Sequence, residues 1–391
     1  MSDIIRKTRI EKIASGGTGL ARVDGKSLFI DGGIPGETVI CRVTKEHGSW
    51  SQAELLDIEE VSPDRVKPVC GLYGKCGGCN LQHLSYPAQL SAKIAILKDT
   101  FLRIGGIEAP EPRVFESEPW EYRNRMQFHA ARDSQKPESS WCLKAKENSA
   151  TVPVFDCPIA DSGIRDLLRG DEEKKRALMP PHKDRFNVYS RNGLLLSEGG
   201  VPCGRTQFLD RELTLDASVF FQSNGVMLEA LIYTLREIAE GSPCGNSAMA
   251  DLYCGVGTFA VFLGEMFAKV DLVEENKTAL ALARENLMWV REGIAPPAFH
   301  AQRSEKWAAE NRVRHGFVIV DPPRQGLNQT LALALASGGP PMLAYVSCDP
   351  ATLARDSKIL LSGGFSLVDL YFFDFYPQTS HIESLAVFMR S

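Results

Sequence analysis

Long apolar runs are missing from this 391-residue chain. Nothing approaches the ~18 consecutive apolar residues of a membrane-spanning helix, so no membrane association is expected. Residues 1–9 (MSDIIRKTR) lack the apolar core of a secretory signal, and the expected compartment is the cytoplasm. A basic surplus is missing too: 44 Lys and Arg face 49 Asp and Glu, a net charge of −5 at pH 7. Bulk charge therefore does not recruit nucleic acid, and any RNA site must be a local basic surface. There is no internal repeat and no low-complexity tract, which excludes solenoids and disordered linkers. What remains, 44% hydrophobic and 24% charged, is ordinary globular composition with material for two or three cored domains. A monomer is expected.

Ten cysteines without a secretion signal need an explanation other than disulfides. Cys41, Cys142, Cys203 and Cys244 are solitary and read as small buried residues. Cys70-x5-Cys76-x2-Cys79 is a cluster that, with a fourth ligand, suits either zinc or a [4Fe–4S] cluster. Cys254 sits in a glycine turn and reads as structural; Cys348 sits in Ser347-Cys348-Asp349-Pro350.

Three composition regimes follow one another. Residues 1–62 are short β-rich runs (27–30, 37–43, 52–58) broken by glycine, the pattern of a small OB-like β-barrel. Eight basic side chains against ten acidic ones leave this piece at −2, so RNA binding does not follow from its charge. Residues 63–215 open with a linker and the cysteine cluster, continue in a helix over 86–105 and a proline-bearing loop, and then turn strand-rich and mixed. The helix is expected to pack on the last domain. Over 216–391, strands (248–252, 270–274, 317–321, 342–347, 365–371) alternate with helices (227–239, 258–267, 277–289, 329–336, 352–361). This is the signature of an α/β, Rossmann-like parallel sheet. The last strand, 383–389, follows its predecessor without a helix and should pair antiparallel.

Asp251-Leu252-Tyr253-Cys254-Gly255-Val256-Gly257 ends a strand and opens a helix, where glycine lets the backbone approach a ligand. Glu274 ends the next strand 23 residues after Asp251, a spacing suited to a ribose diol. A lone G-x-G is also compatible with a plain tight turn. Two more strands end in polar motifs, Asp321-Pro322-Pro323-Arg324 and Ser347-Cys348-Asp349-Pro350, and all three should converge on one crevice.

At residues 347–356 (SCDPATLARD), 381–385 (HIESL), 220–224 (FFQSN), 321–327 (DPPRQGL) and 121–125 (EYRNR), the sequence closely resembles the RNA uracil-5-methyltransferases that form 5-methyluridine from S-adenosylmethionine. Residues 1–60 look like that family's RNA-binding TRAM domain. The branch it is most similar to acts on 23S rRNA and carries an iron–sulfur cluster. The resemblance implies Cys348 as nucleophile at uracil C6 and Glu383 as the base that removes the C5 proton. It implies Gln222, Tyr253, Glu274 and Asp321 as contacts of S-adenosylmethionine, and Cys157 as the fourth ligand, with Cys70, Cys76 and Cys79, of a [4Fe–4S] cluster. A strand-end cysteine beside a helix N-terminus is expected to have a lowered pKa. The implied partner is RNA, a 23S rRNA uridine or alternatively the T-loop uridine of tRNA. Arg123 and Arg125 are candidate RNA contacts.

Three other classes fit less of the chain. A radical S-adenosylmethionine enzyme would need C-x3-C-x2-C, which is absent. An amino-group methyltransferase would leave Cys348 and Glu383 unexplained. A non-catalytic RNA-binding module would leave the whole Cys, Glu and donor constellation unexplained.

Overall fold

The computed structural model describes residues 4–131, 141–147, 150–242, 247–288, 295–311 and 313–390. Cys244 and the far end of the helix expected over 277–289 lie outside the described residues. The chain divides into two compact units. One is Met1–Asp99 with Leu143–Val152 and Tyr376–His381; the other is Thr100–Cys142 with Pro153–Phe375 and Ile382–Ser391.

The first unit opens with strands β1 (Ile5–Arg9), β2 (Lys12–Ile13), β3 (Gly19–Val23), β4 (Lys26–Asp31), β5 (Thr38–Glu46) and β6 (Trp50–Glu60). They form one six-stranded sheet in the order β1-β5-β6-β4-β3-β2, antiparallel except for the β4–β6 pair. Period-2 alternation turns Ala21, Leu28, Ile30, Val39, Cys41 and Ala53 inward onto Ile10. Gly33 is where backbone meets this core most closely, since a Cβ there would lie 2.1 Å from Ile10 Cδ1. The fully buried Glu37 carboxylate accepts two bonds from Arg65 (2.5 and 2.7 Å) and one from the Ile34 N–H, which pairs a charge the core could not otherwise hold. Helix α1 (Tyr86–Thr100) completes the unit; its Gln89 side-chain Oε1 accepts the Gln378 N–H, and its buried Lys93 donates to Tyr376 O. The helix expected over 86–105 is α-helical only to Thr100; a π turn, Phe101–Gly105, follows and is closed by Gly106 at φ +66°.

The second unit begins with β7 (Arg113–Phe115). Strands β8 (Arg125–Ala130), β9 (Trp141–Lys144), β10 (Thr151–Pro153), β11 (Arg185–Arg191) and β12 (Leu194–Ser197) form a sheet in the order β10-β9-β8-β11-β12, and helices α2 (Ser162–Arg169) and α3 (Glu172–Ala177) precede β11. Strands β13 (Cys203–Phe208) and β14 (Arg211–Asp216) pair as a hairpin. Then come α4 (Gly225–Glu240), β15 (Ala248–Leu252), α5 (Thr258–Leu263), β16 (Lys269–Val273), α6 (Lys277–Leu287), β17 (Ala298–His300), α7 (Ser304–Asn311), β18 (Phe317–Val320), α8 (Gln329–Gly338), β19 (Met342–Ser347), α9 (Pro350–Ser362), β20 (Phe365–Phe373) and β21 (Glu383–Arg390).

The main sheet runs β17-β16-β15-β18-β19-β21-β20-β7. Strands β15 to β19 pair parallel, whereas β21 lies antiparallel between β19 and β20, as its missing crossover requires. Helices cover both faces, so β18 and β19 are buried along their whole length and read as continuous apolar runs. Sequence reading left β7, β17 and α7 unassigned: the two strands are three residues long and carry too little pattern to see, and α7 is a short helix of eight residues. The helix expected over 258–267 is α-helical only to Leu263, and Gly264–Met266 tightens to a 3-10 turn. Among the described residues, no helix is long and apolar enough to cross a membrane.

Candidate active site

The strand order reverses between β15 and β18, and the carboxyl ends of the strands there form the crevice where open α/β sheets bind ligands. The loop leaving β15 is held in left-handed backbone at Tyr253 (φ +65°), Gly255 (φ +55°) and Gly257 (φ +81°). At Gly257 a Cβ would meet Ala283 Cβ at 3.1 Å, so glycine lets α5 and α6 close together behind the loop. Tyr253 and Cys254 donate their N–H groups to Val273 O at the end of β16. Glu274, one residue further, accepts from Gly255 N (3.1 Å) and Asn276 N (2.7 Å), so its carboxylate edges the loop.

Gln222 is fixed from behind. Asn224 caps α4 through the Met227 N–H and donates to Ser117 and Phe375, while Asn124 accepts the Gly225 N–H at 2.7 Å. Gln222 hydrogen-bonds Asp321 at the end of β18, and its own Oε1 is buried without a partner. Sequence reading quoted both asparagines within their motifs without giving them a role.

In the antiparallel β19–β21 pair, Ser347 lies opposite Ser384, and the Ser384 hydroxyl donates to Ser347 O. The next positions outward on the two strands are Cys348 and Glu383, which brings thiol and carboxyl together at the carboxyl end of β19, inside the sheet. Glu383 is 2% exposed. Burial, with the Asp321 carboxylate adding to it, holds Glu383 well above the usual carboxylate range, and the Arg324 guanidinium opposes. Burial likewise pushes Asp321 up to about 7, against the Gln222 hydrogen bond. Asp251, fully buried at the end of β15, is raised to about 8 by burial and by Asp321, with a weak opposing pull from the Ala260 backbone; neither of its oxygens makes a hydrogen bond of normal geometry.

The expectation of an acidified Cys348 is overturned. Burial, then the Glu383 and Asp321 carboxylates, push its thiol up to about 12, with Arg324 opposing. The helix N-terminus that would have lowered it is already occupied, because the Asp349 carboxylate accepts from Ala351 N (2.9 Å) and Thr352 N (3.1 Å). Arg324, the cation acting on both Cys348 and Glu383, is a residue sequence reading quoted within its motif without giving it a role.

The other cysteines separate by environment. Cys41, Cys142 and Cys254 are buried, as expected; Cys203 is exposed, at the start of the β13–β14 hairpin, where strand alternation turns it outward. Cys70, Cys76 and Cys79 lie on one turn-rich loop of the first unit, each half-buried, with Cys70 N donating to Gln82 and Gly78 N donating to Cys76 Sγ (3.4 Å). Cys157 is buried in the second unit. None of them is in a disulfide. Among the described residues, no group of three or more His, Cys, Asp and Glu side chains is arranged to hold a metal ion.

Comparison with known proteins follows this geometry. Residues 309–391 match the family model described as tRNA (Uracil-5-)-methyltransferase, and residues 8–56 match the TRAM domain. An uncharacterized RNA methyltransferase of Treponema denticola is 34% identical over 98% of both chains. The 23S rRNA (uracil(1939)-C(5))-methyltransferase of Shewanella piezotolerans is 30% identical over 95% of this chain and 93% of its own. The tRNA (uracil-54, C5)-methyltransferase of Pyrococcus abyssi, solved in complex with S-adenosyl-L-homocysteine, superposes with a TM-score of 0.74 at 22% identity, over 98% of this chain and all of that one, a likeness of fold. With relatives 30% and 34% identical over more than nine-tenths of both chains, the chain belongs to the RNA uracil-5-methyltransferase family.

Proposed function

We propose that the protein methylates uracil C5 in 23S rRNA to give 5-methyluridine, with Cys348 as nucleophile and Glu383 as base. The observation that carries this reading is the strand register, which sets Cys348 and Glu383 at neighbouring positions beside Asp321. The Cys348 sulfur bonds to C6, its proton passing to a carboxylate of the site, and the electron pair of the C5–C6 double bond is left at C5 as an enolate. S-adenosylmethionine, when bound, supplies an electrophilic methyl group. Once C5 carries the methyl group, Glu383 takes the C5 proton, the double bond re-forms and the C6–S bond breaks to release thiolate.

The residues fit a cationic nucleoside donor. Asp251 and Gln222 keep buried oxygens without partners, and the buried carboxyls of the site resist ionising until positive charge arrives. Gln222, Tyr253, Glu274 and Asp321 would hold the donor, Glu274 toward the ribose hydroxyls and Asp321 where donor and uracil meet. RNA would be gripped by the six-stranded domain, residues 1–62, and by Arg123 and Arg125. The Arg125 guanidinium lies 5.7 Å from the ring centre of Phe220, which is 65% exposed and sits two residues before Gln222. An exposed ring backed by a cation suits an unstacked base.

The substrate assignment rests on end-to-end relatives that bear a 23S rRNA name. Mapping 5-methyluridine in rRNA and tRNA from a strain lacking the gene tests it; loss from tRNA alone would move the target to the T-loop. Cys70, Cys76, Cys79 and Cys157 are proposed as [4Fe–4S] ligands on their spacing and family resemblance, and no catalytic step runs through the cluster. Anaerobic purification should yield about four irons and four sulfides per chain. Cys157→Ala should lose them, and stoichiometric zinc without iron would reverse the assignment.

A further inference from the structure

Beyond the reacting groups, one buried carboxylate joins three elements of the site. Asp356, 1% exposed, projects from α9, the helix that begins two residues after Cys348. Its Oδ2 accepts the Tyr345 hydroxyl (2.8 Å), from the strand that ends in Ser347, and the Leu327 N–H (2.8 Å), from the loop that carries Arg324. Its Oδ1 accepts from Arg355 (2.8 Å), whose Nη2 also donates to Gln325 O (2.9 Å) and Leu327 O (3.2 Å). Thr352 Oγ1 donates to Arg324 O at 3.3 Å. The loop is pressed against this clamp at Gly326 (φ +73°), where a Cβ would lie 2.6 Å from Asp356 Oδ2 and 2.8 Å from Arg355 Nη2.

We propose that Asp356, with Arg355, is a positioning residue that seats the Arg324 loop against the Cys348–Glu383 pair, and so sets the rate of thiol addition to uracil. Asp356 touches neither reacting group; it acts through Arg324. The charged groups facing Cys348 are Glu383, Asp321 and Arg324, and among them Arg324 alone favours thiolate. Shifting Arg324 outward therefore leaves two carboxylates against the thiol and moves thiolate formation to higher pH. A clamp that merely stabilised the fold would leave that pH dependence unchanged.

The inference rests on the covalent reading proposed above, and one experiment separates the two. In saturating S-adenosylmethionine, whose methyl group is needed to trap the C6 adduct, the rate of denaturation-resistant adduct formation between the full-length protein and 5-fluorouridine RNA is measured from pH 6 to 10 for wild type, Asp356→Asn, Arg324→Gln and the double variant. Asp356→Asn should slow adduct formation about tenfold at neutral pH, the scale of a small misplacement at a reacting centre, and shift the profile upward, with RNA affinity retained. Arg324→Gln should show the same upward shift, and the double variant should be no slower than Arg324→Gln alone. Full additivity in the double variant, or slowing by Asp356→Asn while Arg324→Gln keeps the wild-type rate, overturns the clamp. Absence of any adduct with wild type, while ordinary uridine RNA is methylated, overturns the covalent reading itself. If Asp356→Asn does not fold, Arg355→Lys replaces it in the same cycle, because it removes the guanidinium's bonds to the loop carbonyls and to Asp356 Oδ1 while leaving the Asp356 bonds to Tyr345 and Leu327 in place.

Discussion

Two buried aspartates on neighbouring strands show how the same residue serves opposite ends. Asp251 on β15 and Asp271 on β16 lie one register step apart, with Ala250 opposite Asp271 and Asp251 opposite Leu272, so they point to opposite faces of the sheet. Asp271 is saturated. His300 Nε2 at 2.7 Å, His315 Nε2 at 2.9 Å and Lys269 Nζ at 2.8 Å surround it. Burial alone would raise its pKa, but the bonds from His315, Lys269 and His300 hold it well below the usual carboxylate range. Asp251 has no such partner and rises to about 8. A carboxylate whose charge the protein neutralises supports the fold; one left unneutralised at the crevice holds binding free energy for a cationic ligand.

The sharpest break of that comparison is at the reacting pair, where the effects should be largest. Cys348→Ala should form no adduct and lose turnover by at least about 10³-fold, and Glu383→Gln should lose turnover by about 10²–10⁴-fold. Glu383→Gln should also accumulate a methylated protein–RNA adduct on a denaturing gel. Both variants should melt near wild type, because neither removes a saturated structural charge. Asp271→Asn should do the reverse. It should lower unfolding free energy in urea by about 3 kcal/mol, since breaking a buried charge cluster strands its cations, while the folded fraction keeps its turnover. Lost turnover at unchanged stability would reverse the roles assigned to the two aspartates.

The pH dependence of the ligand-free protein sharpens the comparison further. Asp251 is raised, so its contribution is full below the unfolded value near 3.8 and is lost as pH rises through about 8. Asp271 is depressed, so its contribution is present above 3.8 and is lost as pH falls toward its lower folded value. Stability should therefore peak at mildly acidic pH and fall by up to about 4 kcal/mol between pH 5 and 8, about 1.4 kcal/mol for each pH unit. In Asp251→Asn that fall should shrink, and an unchanged fall would sever the link. The same variant should weaken S-adenosylmethionine binding about tenfold at pH 8, roughly 1.4 kcal/mol, and S-adenosylhomocysteine less, because the latter lacks the sulfonium charge; calorimetry reads both. The smallest effect belongs to Cys203→Ser on the exposed hairpin, which should change stability by less than about 0.5 kcal/mol in a thermal melt.

Much of the catalytic sheet was legible along the chain. Residues 248–252 and 342–347 are strands as read, because apolar runs bounded by Gly, Pro and Asp leave few alternatives. The antiparallel placement of the last strand followed from the missing crossover. The short β7 and β17 were not legible, since a three-residue strand is held by its neighbours' open edges rather than by its own pattern. At the site, Gln222 lies beside Asp321, and Glu274 edges the glycine loop. The expected acidic thiol was not borne out, since a helix N-terminus acts over one turn whereas desolvation and neighbouring carboxylates act from every side.

The sequence by itself determined the alternation that builds the parallel sheet, the glycines that bend its first loop, and the residue types able to do cysteine-dependent methyl transfer. Those are local properties: backbone freedom, apolar periodicity and functional groups are carried by each residue wherever it lies. The tertiary structure alone decided which charges are neutralised. It gave Asp271 three donors and left Asp251 without a hydrogen bond of normal geometry, set Glu383 beside Cys348 from a strand 35 residues later, and bonded Leu327, in the loop that carries Arg324, to a carboxylate of α9. The reason is physical. Electrostatic energy depends on distance through space and on how much water is excluded, and neither quantity exists until strands distant in sequence are paired.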